Sequence, residues 1–166
     1  MQFKIKHRMM SKTLLIFLLI QINLIQFSEA QDWPDLGRYR EANNKIKLGT
    51  NLGDRVIFMG NSITDFWIER SPEFFSDNDF IDRGINGQTS PQMLIRFRAD
   101  VINLNPRAVV ILAGTNDIAG NTGPSTLDMI EDNIRSMAEL ARVNSIKVIL
   151  CSVLPTSDFR GDPRKE

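Results

Sequence analysis

Ala108-Val109-Val110-Ile111-Leu112-Ala113-Gly114 is an uncharged aliphatic run closed by glycine. Such a short, continuous apolar run reads as a strand buried on both faces, the habit of parallel sheets. Three further runs of the kind flank it in the chain: Arg55-Val56-Ile57-Phe58-Met59-Gly60, Phe80 to Ile85, and Lys147-Val148-Ile149-Leu150-Cys151-Ser152-Val153.

Helical patterns occupy the intervals. Leu36 to Lys47 is a polar, helix-compatible lead-in, ended by Gly49 and Gly53. Ser90-Pro91 offers an N-cap followed by proline at the first helical position. Leu94, Phe97, Val101 and Leu104 then recur at three- and four-residue steps until Pro106 stops the run. Ser125 with Asp128 resembles a capping box, and Leu127, Ile130, Ile134, Met137 and Ala141 form one apolar stripe. Strands alternating with helices of this length predict βαβ units with right-handed crossovers, an α/β fold on a mostly parallel sheet. The chain of 166 residues suits one such domain, and no internal repeat or low-complexity tract interrupts it.

In parallel sheets ligands bind beyond the carboxyl ends of the strands, so the segments after each strand carry the functional argument. Gly60-Asn61-Ser62-Ile63-Thr64-Asp65 follows the first. It puts a serine where a helix begins, and free N–H groups and the positive dipole end there would stabilise an oxyanion. Taken alone, Ser62 reads more readily as a plain N-cap than as a nucleophile. Arg83-Gly84-Ile85-Asn86-Gly87-Gln88-Thr89 follows the second strand, and its Gly87 N–H could donate to the same charge; alone, it is a glycine turn. Gly114-Thr115-Asn116-Asp117 follows the third, and Asn116 offers a neutral amide donor; alone, Asn116 and Asp117 are turn formers. Three such segments, each after a strand of one sheet, are much harder to read separately as caps and turns.

These blocks resemble those of the GDSL/SGNH hydrolases, a family of serine esterases and lipases, over about Arg55 to Pro155. The likeness is to the secreted lysophospholipase L1-like and platelet-activating-factor acetylhydrolase-like branch. The resemblance implies a flavodoxin-like α/β/α sandwich and no cofactor or metal. It also implies Ser62 as nucleophile, with the Ser62 and Gly87 N–H groups and the Asn116 side chain as oxyanion hole. Position 61 is Asn where the family name has Asp. The family's last block, an Asp-x-x-His, is absent from the 166 residues. The expectation is therefore a C-terminally truncated chain, inactive by itself. Asp158, Asp162 and Lys165 are weak candidates for a substitute base, since ordinary carboxylates titrate near 4.

The first 30 residues read as a secretory signal: a basic head (Lys4, Lys6, Arg8, Lys12), an apolar Thr13 to Phe27, and Ser28-Glu29-Ala30 at the exit. The apolar stretch is too short and too polar, with Gln21, Asn23 and Gln26, for a membrane span. Cleavage after Ala30 leaves a hydrolase domain at 31–166, secreted or periplasmic. It also removes His7, the chain's single histidine.

Equal numbers of basic and acidic residues, 20 each, give no footprint for nucleic acid. The lone Cys151 excludes an internal disulfide framework and a Cys-rich zinc site. Asp54, Asp65, Asp82 and Asp117 are scattered at loop ends and read as caps rather than metal ligands. Expected substrates are acetylated carbohydrate, lysophospholipid or small esters; Trp33, Phe66 and Trp67 are too scattered to choose among them. The alternative is a non-catalytic glycan- or lipid-binding relative. A flavodoxin-like cofactor domain lacks a phosphate fingerprint and ranks last.

Overall fold

The computed structural model describes residues 32–48 and 54–153. The expected signal segment with His7, the glycines Gly49 and Gly53, and Asp158, Asp162 and Lys165 lie outside the described residues. The four expected strands form as β1 (Val56–Gly60), β2 (Phe80–Gly84), β3 (Ala108–Leu112) and β4 (Lys147–Leu150). All pair in parallel, in the order β2-β1-β3-β4. The chain therefore winds from β1 outward to β2, crosses back to β3, and continues outward to β4. The switch point lies between β1 and β3, where a ligand crevice opens in sheets of this kind. Gly60 registers with Gly84 on one side and Leu112 on the other, so three strands end level beneath the loops that follow.

Side chains alternate across β1 and β3 with the period of two that a strand imposes. Ile57, Met59, Val109 and Ile111 enter one core with Met93, Phe97, Met137 and Ala141. Met93 and Phe97 come from α5 (Ser90–Asp100), and Met137 and Ala141 from α7 (Leu127–Val143). Ile46 of α1 (Arg40–Leu48) packs on this same core. Val56, Phe58 and Ala108 enter the other core with Phe75. That face is covered by the short helices α2 (Ser62–Asp65), α3 (Trp67–Arg70) and α4 (Pro72–Ser76). Phe58 sits edge-on to Trp67 and Phe75, and Trp67 stacks on Phe74 at 4.7 Å. Each fully buried side chain of this size contributes about 1.5–3 kcal/mol. The result is three layers, helices on both faces of one parallel sheet.

Some boundaries differ from the expected ones. The lead-in helix begins at Arg40 rather than Leu36. β3 stops at Leu112 because Gly114, at φ +114°, starts a new helical turn, α6 (Thr115–Ile118). β4 stops at Leu150, although the Cys151 N–H still donates to the Ile111 carbonyl at 2.9 Å. Helix α5 is capped by Thr89, not Ser90; the Gln92 side chain accepts from the Thr89 N–H at 3.1 Å. Helix α7 is capped by Thr126, not Ser125; the Thr126 hydroxyl accepts from the Met129 N–H. Leu127 is not part of the buried stripe, being 76% exposed, because it opens the helix before the packed turns. Of the apolar residues expected on α5, Phe97 is buried and Leu94 half-buried; Val101 and Leu104 are buried just beyond the helix end, and Met93 joins the same core.

Candidate active site

Gly60 and Gly84, the paired ends of β1 and β2, make room for the first helical turn beyond the sheet. A Cβ on Gly84 would stand 2.1 Å from the Asp65 main-chain nitrogen and 2.7 Å from its Cα. Helix α2 therefore lies directly on the end of β2, which only glycine permits. The cap of α2 is Asn61, whose Oδ1 accepts from the Ile63 N–H at 3.0 Å. Ser62 is thus the first helical residue and has no capping duty. It is half-buried and lines a surface depression with Ile63, Phe66, Trp67 and Arg70. The Asn at position 61 does the capping work that either Asn or Asp performs.

The second segment turns sharply after β2. The Gln88 N–H donates to the Ile85 carbonyl at 3.3 Å, and Gly87 has φ +77°. That is the geometry of a type II turn, which favours glycine at its third position. The Gly87 N–H and the Ser62 N–H have no hydrogen-bond acceptor among the described residues. Both remain available to an incoming anion.

The third segment reaches the second through one bond. Asn116 Nδ2 donates to the Gln88 carbonyl at 2.8 Å. A carboxamide nitrogen carries two hydrogens, so this bond fixes the amide plane and leaves its second N–H free. The first and second segments are joined likewise, for the Asn86 N–H donates to Asp65 Oδ2 at 3.0 Å. Asn121 Nδ2 also donates to the Gly87 carbonyl at 3.1 Å. The three loops carrying Ser62, Gly87 and Asn116 are thereby tied into one cluster over the switch point.

Several supporting residues escape sequence reasoning. Asp117, beside Asn116, is buried and accepts from the Ser90 N–H at 2.9 Å and the Ser90 hydroxyl at 2.6 Å. That clamps the third loop to the start of α5, where the helix dipole favours a carboxylate. Arg96 is fully buried inside α5. Its guanidinium donates to the carbonyls of Gly60 at 3.1 Å and Arg83 at 2.8 Å, to Gln88 Oε1 at 2.6 Å, and to Asp100 at 3.0 Å. One side chain so fixes the ends of β1 and β2 and the turn that follows β2. The only local signal was the Arg96–Asp100 pair, four residues apart on the face that also carries Met93 and Phe97.

Of the aspartates at loop ends, Asp65, Asp82 and Asp117 each accept from main-chain N–H groups. Asp82 is pushed up to about 6. Burial is the main cause and nearby Asp65 adds to it, while the Gly84 N–H, Tyr39 and Arg83 oppose the shift. Burial likewise raises the Tyr39 hydroxyl, which donates to the Gly84 carbonyl.

A family model described as GDSL-like Lipase/Acylhydrolase matches residues 58–166. Among solved structures, the chain is 52% identical to a putative acylhydrolase from Bacteroides fragilis, with a TM-score of 0.74 over 81% of this chain and 64% of that one. It is 51% identical to a GDSL-like lipase from Bacteroides thetaiotaomicron, with a TM-score of 0.68 over 76% of this chain and 62% of that one. A more distant likeness is to an acetyl xylan esterase, AlAXEase, at 27% identity and a TM-score of 0.53, covering 58% of this chain and 57% of that one. The chain thus spans less than two thirds of the length of each of these structures.

Proposed function

The chain belongs to the GDSL-like lipase/acylhydrolase family, and on that premise we propose that it is a serine ester hydrolase with Ser62 as its nucleophile. The Ser62 hydroxyl attacks the ester carbonyl. The oxyanion is held by the Ser62 and Gly87 N–H groups and by the free N–H of Asn116. Collapse expels the alcohol, and water then hydrolyses the acyl-enzyme, returning Ser62. What supports this reading is the Asn116–Gln88 bond, which ties the Asn116 loop to the turn carrying Gly87, together with Ser62 and Gly87 N–H groups that find no acceptor among the described residues. Pre-oriented donors of this kind supply a large share of acyl-transfer catalysis.

A serine hydroxyl needs a base to take its proton. The single histidine of the 166 residues is His7, outside the described residues. We assign the base to an Asp-x-x-His block of the family's kind, which these residues do not contain. Residues 1–166 alone then retain at most the catalysis of an oxyanion hole without its triad, about 10³–10⁴-fold over water in well-studied serine enzymes. The N-terminal pattern supports export. Among the described residues no helix is long and apolar enough to cross a membrane.

The test compares hydrolysis of p-nitrophenyl acetate by the 166-residue chain and by the product of its gene with whatever follows Glu166. Turnover in the latter that Ser62→Ala abolishes supports the reading. Turnover that survives Ser62→Ala removes Ser62 from its role. Full turnover by the 166-residue chain overturns the assignment of the base. Ligand binding without hydrolysis in either form favours a non-catalytic relative.

A further inference from the structure

Beside Gly87 lies a groove of about 520 Å³, lined by Trp33, Asp35, Asn86, Gln92, Asn121 and Thr122 among others. Its volume is in the range of ligand pockets. Trp33, 43% exposed, is held at the rim by its own backbone. Gln92 Nε2 donates to the Trp33 carbonyl at 2.7 Å, and Gln88 Nε2 donates to the Pro34 carbonyl at 2.7 Å. These two glutamines belong to the second loop and to α5, so the aromatic rim is built onto the oxyanion turn itself. Asn121 is bound to Gly87 through its Nδ2, leaving its side-chain oxygen free to accept. The Asn86 side-chain carboxamide and the Asp35 carboxylate have no hydrogen-bond partner among the described residues.

We propose that this groove is a sugar subsite, and that the ester cleaved at Ser62 is a short acyl group on a carbohydrate. The proposal rests on the hydrolase reading of Ser62, Gly87 and Asn116. An indole offers a flat apolar face with a polar edge, which matches the C–H face of a pyranose ring. The free amide, carboxylate and carbonyl groups around it match ring hydroxyls that both donate and accept. A lysophospholipid acyl chain fits the same groove badly. It would strip water from Asn86, Asn121 and Asp35 and return no hydrogen bond, and each polar group so stranded costs about 1–3 kcal/mol.

Isothermal titration calorimetry on the Ser62→Ala protein tests this without turnover. The probes are partially acetylated xylo-oligosaccharides and monomeric lysophosphatidylcholine. The oligosaccharide is expected to bind, the lysolipid not. Trp33→Ala should weaken oligosaccharide binding by tenfold or more. Asn86→Ala, at a side chain that makes no hydrogen bond among the described residues, should weaken it several-fold with an unchanged melting temperature. Absence of oligosaccharide binding, binding indifferent to both variants, or preferential lysolipid binding lost on Trp33→Ala would each overturn the proposal. The p-nitrophenyl acetate assay separates the two readings. Binding without ester hydrolysis in either of the two forms compared above defeats the hydrolase assignment and leaves a glycan-binding groove. Hydrolysis without binding defeats the groove alone.

Discussion

Asn116 Nδ2 donates to the main-chain carbonyl of Gln88 at 2.8 Å, joining the loop after β3 to the turn after β2. The side chain is therefore oriented before any substrate arrives, and its remaining N–H costs no reorganisation when charge develops. Asn116→Ala is expected to lower kcat by about 10²–10³-fold, the usual loss for one oxyanion donor, while KM changes little. Steady-state kinetics on a short-chain ester check this, and an unchanged kcat removes Asn116 from the oxyanion hole.

Gly84 is the place where helix α2 rests on the sheet. Its missing side chain would collide with main-chain atoms of Asp65, which cannot swing aside. Gly84→Ala should cost about 1–3 kcal/mol or more, as forced overpacking does. It should also loosen the Asp65–Asn86 contact that joins the first two loops. Urea unfolding reports the first effect and activity at permissive temperature the second.

Arg96 and Asp100 form a fully buried ion pair. Arg96→Met leaves the buried Asp100 carboxylate with its Asn43 donor but without its ion-pair partner, and leaves the Gly60 and Arg83 carbonyls without their guanidinium donor. A loss of about 3–5 kcal/mol is expected for breaking such a pair from one side. The Arg96→Met, Asp100→Leu double variant should recover part of it, because no charge is then left unpaired. Denaturant melts of both variants decide the matter; equal losses would show that the carboxylate is not the cost.

Asp82 is pushed up to about 6 by burial, against an ordinary value of 3.8. The folded protein then holds this proton more tightly than the unfolded chain. By linkage, stability falls as pH rises from about 4 to about 6, and no further contribution arises above that window. Asp82→Asn removes the titration. The melting temperature of the variant should gain on that of the unaltered protein across this window and run parallel to it above pH 6. A difference that is flat from pH 4 to 7 would contradict the shift.

The strands and the three loop blocks were legible because they depend on local chemistry. Val109 and Ile111 declare a buried strand by themselves, and Gly60, Ser62, Gly87 and Asn116 stand at strand ends wherever the strands are drawn. The caps were misassigned by one residue because the sequence offers adjacent candidates. Ser90 looks as good a cap as Thr89, but its hydroxyl is taken by Asp117, 27 residues away. Arg96 was illegible for the same reason. A charged residue on an apolar helix face reads as a flaw until the carbonyls of Gly60 and Arg83 are seen beside it. Trp33 read as one of three scattered aromatics. Only the fold sets it beside Gly87 while Trp67 goes to the Phe58 and Phe74 cluster.

The central claim is that Ser62 is the nucleophile served by the donors of all three loops. It is tested most directly by treating the ester-hydrolysing gene product with a fluorophosphonate and mapping the adduct by peptide mass spectrometry. The account predicts one adduct, on Ser62, that is lost in Ser62→Ala. An adduct on another serine, or no adduct on a form that hydrolyses esters, would contradict it.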